Sequence, residues 1–284
     1  RKVPLTGAVV RGTYHLVFPA KVQVPEIPLE DYPQGSGYAT LKLSETGAVT
    51  LAGVLADGTV LTAGSGMVDE KDCPLYAQLL TPGATVSEKG GLFRGLLAFS
   101  TQPADTDVTG TDWLWLRPEV SELPGTTSAA KATQIYTKGW PGGISVDASG
   151  TLYRSTSSLQ NTLALGPKNP TSGNATLLFS AGKLISDVTV SALNIATSKI
   201  TKIPASNASF TLTLSQSTGL MKGTFSPNWP SPSSSKPQFR GILLQKGANR
   251  MGQGFFLSNA AADTNPESGR VILIGDEQQV PGEP

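Results

Sequence analysis

The feature that most restricts this chain is apolar alternation with a period of two, cut at short intervals by turn residues. Successive side chains of a strand point to opposite faces, so alternation specifies a half-buried β-strand and disfavours a helix. In residues 13–18, Tyr14, Leu16 and Phe18 fall on one face. Residues 38–43 repeat the pattern, and Glu45, Thr46 and Gly47 supply a turn. Residues 49–55 and 60–63 flank Asp57 and Gly58, a hairpin signal because Asp-Gly adopts positive φ at low cost. Further strands are predicted at residues 75–80, 92–99, 113–116, 152–153, 176–179, 188–193, 210–214, 221–225, 239–245, 254–257 and 271–274. The best helical window, residues 128–136, is short. The chain therefore reads as all-β, with roughly 14–16 short strands. They form antiparallel meanders that close into a β-sandwich or a barrel-like sheet system.

Two segments lack strand character. Residues 117–150 carry Pro118, Pro124, Gly125, Gly139, Pro141, Gly142 and Gly143 and read as a connection between halves. Residues 228–237 read as an exposed loop, because proline cannot serve a central ladder. The halves, residues 1–125 and 126–284, are either separate units or one closely packed unit. They resemble each other: LKLSETG at residues 41–47 matches LTLSQSTG at 212–219, and FRGLL at 93–97 matches FRGIL at 239–243. Two matches in the same order indicate an internal duplication. The competing explanation is chance likeness between amphipathic strands.

Composition removes several function classes. The 284 residues hold 22 Lys and Arg against 21 Asp and Glu, a net charge of +1, with no basic run. Phosphate binding needs concentrated positive charge, so nucleic acid is not the expected partner. No stretch approaches the roughly 18 apolar residues of a membrane-spanning helix. The opening Arg1, Lys2, Val3, Pro4, without initiator Met or signal peptide, reads as a processed or excised fragment. One cysteine, Cys73, excludes an internal disulfide and a cysteine zinc cluster. One histidine, His15, excludes sites that need two imidazoles. Only 15% of residues are charged, against about 25% in an average domain. That low charge, with abundant Ser, Thr, Gly and Ala, is common in secreted bacterial β-proteins.

Few residues carry chemistry. A Ser-His-Asp triad would have to use His15, which lies in a regular strand with no nucleophile elbow nearby. A strand histidine, on the surface or satisfied in the core, is the expected reading. Cys73 follows Asp69, Glu70, Lys71 and Asp72, and acidic neighbours oppose thiol activation. It reads as a loop or strand-edge cysteine, and the acidic group as a solvated turn. Asp105, Asp107 and Asp112 are the candidate metal ligands, for calcium, since residues 105–112 place oxygen ligands at positions one and three and Gly110 at six. Position five is Thr109 and position twelve is Leu116, so the loop is no EF-hand, and a plain polar hairpin is favoured. No other cofactor is expected. Glycoside hydrolysis needs two carboxylates across a cleft, and no acid pair here has a distinctive context. Trp113 and Trp115 share a strand face and read as core. Trp140 and Trp229 lie in Gly/Pro-rich and Pro/Ser-rich segments and are the candidate ligand-binding residues, by stacking on sugar rings.

A wider pattern joins these pieces. GYATLKLSETG at residues 37–47, LAGVLADGT at 51–59, PLY at 74–76 and GLFRGLLAF at 91–99 resemble a β-rich domain found near the C-terminus of large secreted and cell-surface bacterial proteins, after immunoglobulin-like or fibronectin-like repeats. WLWLRP at 113–118, YTKGW at 136–140 and GQGFFL at 252–257 continue the likeness. It covers the chain from about residue 5 to residue 275, and its motifs are structural. It implies an extracellular or cell-surface location and carries over no catalytic residue. Cys73 departs from the polar or aromatic residue usual before Pro-Leu-Tyr.

The expected function is a non-enzymatic structural or adhesion module of a bacterial secreted or cell-surface protein. Its partners would be other surface proteins, copies of itself, or glycans. One alternative is a self-assembling fibre or layer subunit that exchanges strands, with residues 3–10 and 271–284 as donors. Another is a carbohydrate-binding module.

Overall fold

The computed structural model describes residues 9–19, 21–23, 25–80, 89–100, 106–122, 135–155, 157–231, 236–246, 250–258 and 266–275. The first eight strands are β1 (Gly12–Phe18), β2 (Gly37–Leu43), β3 (Ala48–Val54), β4 (Val60–Gly66), β5 (Asp72–Leu80), β6 (Lys89–Phe99), β7 (Val108–Arg117) and β8 (Trp140–Tyr153). A one-turn helix, α1 (Leu159–Thr162), follows. Then come β9 (Ala175–Ala181), β10 (Val188–Ile195), β11 (Ile200–Lys202), β12 (Phe210–Leu214), β13 (Leu220–Phe225), β14 (Gln238–Leu243), β15 (Gly252–Leu257) and β16 (Ser268–Gly275).

The strands build two eight-stranded antiparallel sheets, β4-β3-β2-β1-β8-β7-β6-β5 and β11-β10-β9-β16-β15-β14-β13-β12. In each, the first and last strands in chain order pair with one another. Each sheet is therefore an up-and-down meander rolled into a nearly closed barrel, which removes all but two strand edges. The first barrel stays open between β4 and β5, where Pro74 in β5 has no N–H for a ladder. Ser65 Oγ donates to the Pro74 carbonyl across that seam. The second is open between β11 and β12. There Lys202 Nζ donates to the Phe210 carbonyl at 2.6 Å, and Gln216 Nε2 to the Thr197 carbonyl at 2.7 Å.

Alternation explains both interiors. Tyr14, Leu16, Phe93, Phe99 and Trp113 point into the first barrel. Phe179, Phe225, Phe239 and Phe256 fill the second, with Phe179 and Phe225 stacked at 3.9 Å. Leu159 and Leu163 of the α1 segment join that core. On β1 both faces are buried: Tyr14, Leu16 and Phe18 point inward, while His15 and Val17 meet the second barrel. Val17 packs there with Ile242 and Leu244, and Tyr38 lies against them. Hydrogen bonds from Ser36 N to the Gly254 carbonyl, Tyr153 Oη to the Gln216 carbonyl and Gln245 N to Thr151 Oγ1 fasten the same joint.

Two sequence expectations change. Residues 117–150 include most of β8, the longest strand, which pairs with β1 and β7. The division at 125/126 would place this strand in the second half, whereas it completes the first sheet. Ile144 and Val146 alternate inward, but the next inward residues, Ala148 and Gly150, are small, so the alternation fades along the strand. Gly150 must be small, since a Cβ there would lie 2.4 Å from the His15 carbonyl oxygen. The second change concerns the internal likeness. The strands β6 and β14, which carry the FRG match, are both sixth in their meander. The other match joins the β2–β3 turn to the β12–β13 turn, which are not equivalent in order. Both turns place glycine at positive φ, Gly47 at 74° and Gly219 at 63°, and both use a serine hydroxyl to accept a backbone N–H. That likeness is one of turn chemistry. The helical window at residues 128–136 lies outside the described residues except for Ile135 and Tyr136. The strand-donor segments are described only at residues 9–10 and 271–275, the latter inside β16.

Candidate functional site

Of the three candidate calcium ligands, Asp105 lies outside the described residues. Asp107, just before β7, and Asp112, within β7, sit apart beside β8. Asp107 faces the Gly150–Leu152 end, where its carboxylate accepts from Leu152 N at 2.8 Å and pairs with Lys246. Asp112 faces the Ser145–Asp147 end, about four strand positions or ~13 Å away. Its Oδ1 accepts from Lys21 Nζ at 2.7 Å and from Ser145 Oγ at 3.0 Å. These bonds, with the lysine charge, hold the Asp112 carboxyl below the ordinary range, and the same carboxylate with Asp147 raises Lys21. Asp112 occupies the left-handed region, φ 53°, at a bulge in β7. The bulge resets the alternation so that Trp113 and Trp115 point inward after Val108 and Gly110. The two aspartates therefore do not converge, and each is matched to a lysine ammonium. Among the described residues no group of three or more His, Cys, Asp or Glu comes together.

The acidic turn at residues 69–72 is solvated as expected. Asp69 Oδ1 accepts from the N–H groups of Lys71 and Asp72, which lowers its pKa. Cys73 lies at the start of β5, a strand that borders the open seam; it is fully buried and points into the first barrel, and burial raises its thiol pKa. The sequence cue, acidic neighbours, says nothing about the face on which a strand residue lies.

Trp140 and Trp229, expected as ligand-stacking rings, are both core. Trp140 is 4% exposed and packs edge-on against Trp115 at 4.8 Å, with the Arg117 guanidinium 5.5 Å from its ring centre. Trp229 is 5% exposed and donates from Nε1 to the Gly182 carbonyl at 2.9 Å. Neither offers a face to a ligand. Trp140 opens β8 and joins the first core, and Trp229 joins the second.

His15 is fully buried at the joint between the barrels. Its Nδ1 donates to the Leu243 carbonyl at 2.7 Å, and its ring stacks on Tyr153. Nε2 has no hydrogen-bond partner, and the Thr218 carbonyl is a second backbone oxygen that acts on the ring. Burial lowers the pKa to about 4, partly opposed by those two carbonyls. A buried ion pair lies elsewhere in the first barrel. Arg117 Nη1 lies 2.9 Å from Asp57 Oδ2, with both side chains at most 5% exposed. Thr59 donates to both Asp57 oxygens.

The outer wall of the first barrel carries a row of residues that sequence reasoning passed over. There Tyr76, Arg94, Leu114 and Ser145 align across β5, β6, β7 and β8 by strand register. Tyr76 is 54% exposed and Leu96, on the same outer face of β6, is 48% exposed. A hollow of about 450 Å³ opens over Pro74, Tyr76 and Arg94. Another of about 450 Å³ lies between β7–β8 and the chain around Gln23, Pro25 and Ile27. Both are lined by Asp112 and Leu114, so they adjoin. The available signal was an aromatic at an outward strand position, which polar-face alternation does not require. No protein-family model matches this chain, and a search of curated proteins returns no match. The fold and its surfaces therefore define the class: an all-β protein of two similar barrels joined face to face.

Proposed function

We propose that the chain is a non-enzymatic adhesion or display module of a bacterial secreted or cell-surface protein. The observation that supports this reading is the filling of both barrels by their own side chains, fused through a buried joint, which makes the outer walls the working surface. A rigid body of this kind presents fixed patches of side chains at a distance set by its sheets. Rigid scaffolds with functional surfaces are the usual arrangement in binding proteins. The test is adhesion of beads coated with the purified chain to bacterial envelopes, host cells and extracellular matrix. Saturable binding that competes with free chain is expected. Retention no greater than that of beads coated with an unrelated β-protein would overturn the reading.

The second reading is a subunit that assembles through its strand edges. It draws on the seams β4/β5 and β11/β12, where backbone groups lack ladder partners across the gap. Light scattering on a gel-filtration run over a wide concentration range separates the two. Growing oligomers favour assembly, and a constant monomer removes it.

A further inference from the structure

The two hollows on the first barrel form one trough. At the usual spacing of paired strands the row Tyr76, Arg94, Leu114, Ser145 spans about 14 Å. Its aromatic end is Tyr76, whose hydroxyl donates to Gln78 Oε1 at 3.1 Å and restrains the ring while leaving it half-exposed. Its polar middle holds Arg94 on one side and Asp112 on the other. The Lys21 and Ser145 bonds fix Asp112 in place and both fall on Oδ1. Gln23 is likewise held, giving two bonds from Nε2 and accepting one from Ser145 N at 2.7 Å. At the far end a Cβ added to Gly142 would meet nothing within 4 Å, so the floor there is open backbone.

We propose that this trough binds a neutral oligosaccharide, an inference that rests on the adhesion reading and names its ligand. A pyranose presents a flat face of C–H groups and a rim of hydroxyls that both donate and accept. The Tyr76 ring supplies a surface for the face. Arg94 supplies donors only and Asp112 acceptors only, so together they match a pair of neighbouring hydroxyls. Lys21 and Arg94 balance Asp112 and Asp147, which leaves no net charge to select an acidic or basic ligand. Each hollow has the volume of a small-molecule site. Tyr76 and Leu96 alone fall short of the apolar core that a stable protein interface of roughly 800 Å² per partner requires. Asp112 and Gln23 are held before a ligand arrives, which lowers the entropic cost of binding.

The experiment is calorimetric titration of the full chain with β-glucan, mannan, xylan and chitin oligosaccharides, alongside the variants Tyr76→Ala, Tyr76→Phe and Asp112→Asn. All three changes are at the surface, and thermal melts by circular dichroism confirm that each variant folds. Saturable binding of at least one probe is expected. It should weaken by about tenfold or more in Tyr76→Ala and Asp112→Asn and persist in Tyr76→Phe. Absence of binding to every probe overturns the proposal, and so does binding that Tyr76→Ala leaves unchanged. The coated-bead assay run with the same proteins keeps the two readings apart. Beads that adhere equally well with wild type and Tyr76→Ala overturn the trough and leave the adhesion reading standing. Beads that fail to adhere, beside a titration that depends on Tyr76, support the trough and overturn the adhesion reading.

Discussion

His15 and Tyr153 stack with ring centroids 3.9 Å apart and planes 17° from parallel, at the point where the two barrels meet. The imidazole is sealed from water, and its folded pKa of about 4 lies below the ordinary 6.5 because burial disfavours the charged form. The unfolded chain thus takes up a proton near pH 6.5, while the folded chain stays neutral until about pH 4. Stability from this group is complete above pH 6.5 and falls as pH drops toward 4. The full linkage amounts to about 3 kcal/mol. His15→Phe keeps a ring against Tyr153 and removes the proton. Urea unfolding at pH 7.5 and pH 4.5 should show a smaller acid-induced loss in the variant than in wild type. Equal losses would place the titrating group elsewhere.

The same contact makes Gly219 intolerant of a side chain. Its φ is 63°, and an added Cβ would lie 2.3 Å from His15 Cε1 and 2.7 Å from the Tyr153 ring. Gly58 provides the control: its φ is 90°, but the nearest atom to an added Cβ is Leu257 Cδ1 at 3.5 Å. Gly58→Ala should cost about 1 kcal/mol, the conformational term alone. Gly219→Ala should cost distinctly more, about 3 kcal/mol, because the His15 and Tyr153 rings of the first barrel must shift away from the second. Denaturant midpoints of the two variants give the comparison directly.

The barrel was legible in the sequence where alternation used large residues. Tyr14, Leu16 and Phe18 announce β1, and the Asp57-Gly58 hairpin separates β3 from β4. β8 was hidden because only Ile144 and Val146 are large among its inward residues near Pro141, Gly142 and Gly143, while Ala148 and Gly150, also inward, carry little hydrophobic signal. Closure itself was hidden for a different reason. Pairing of β1 with β8 joins residues more than a hundred positions apart, and no local pattern encodes that partnership. For the candidate site, residue type misled. Tryptophan in Gly/Pro-rich chain suggested exposure, yet Trp140 is buried against Trp115 as β8 enters the sheet. Tyr76 sits in an ordinary strand, and only the register that sets it beside Arg94 gives it a context.

The Arg117–Asp57 pair predicts a strongly non-additive pair of mutations. Both side chains are buried, so removing one leaves a charge without its partner in a poor dielectric. Arg117→Met should destabilise by about 3–5 kcal/mol. Asp57→Asn alone should also destabilise, since Arg117 then loses its anion. The double variant should be less destabilised than the sum of the singles, by at least about 1 kcal/mol, because neither orphan charge remains. Additive losses in a double-mutant cycle would mean that the two groups are not coupled.

All four tryptophans are at most 5% exposed, and this decides how ligand binding must be observed. Trp113 and Trp115 line the first barrel, Trp140 packs behind Trp115, and Trp229 is held by Gly182 in the second. Iodide is charged and cannot enter such a core. Quenching of the native tryptophan emission should therefore be a small fraction of that in urea-unfolded chain, with the emission maximum shifted to the blue. Oligosaccharide in the Tyr76 trough should leave that emission almost unchanged while altering the tyrosine signal. Strong native iodide quenching would mean that at least one indole faces solvent. Trp140 and Trp229 would then return as stacking surfaces, and single Trp→Phe variants would show which of them answers the quencher.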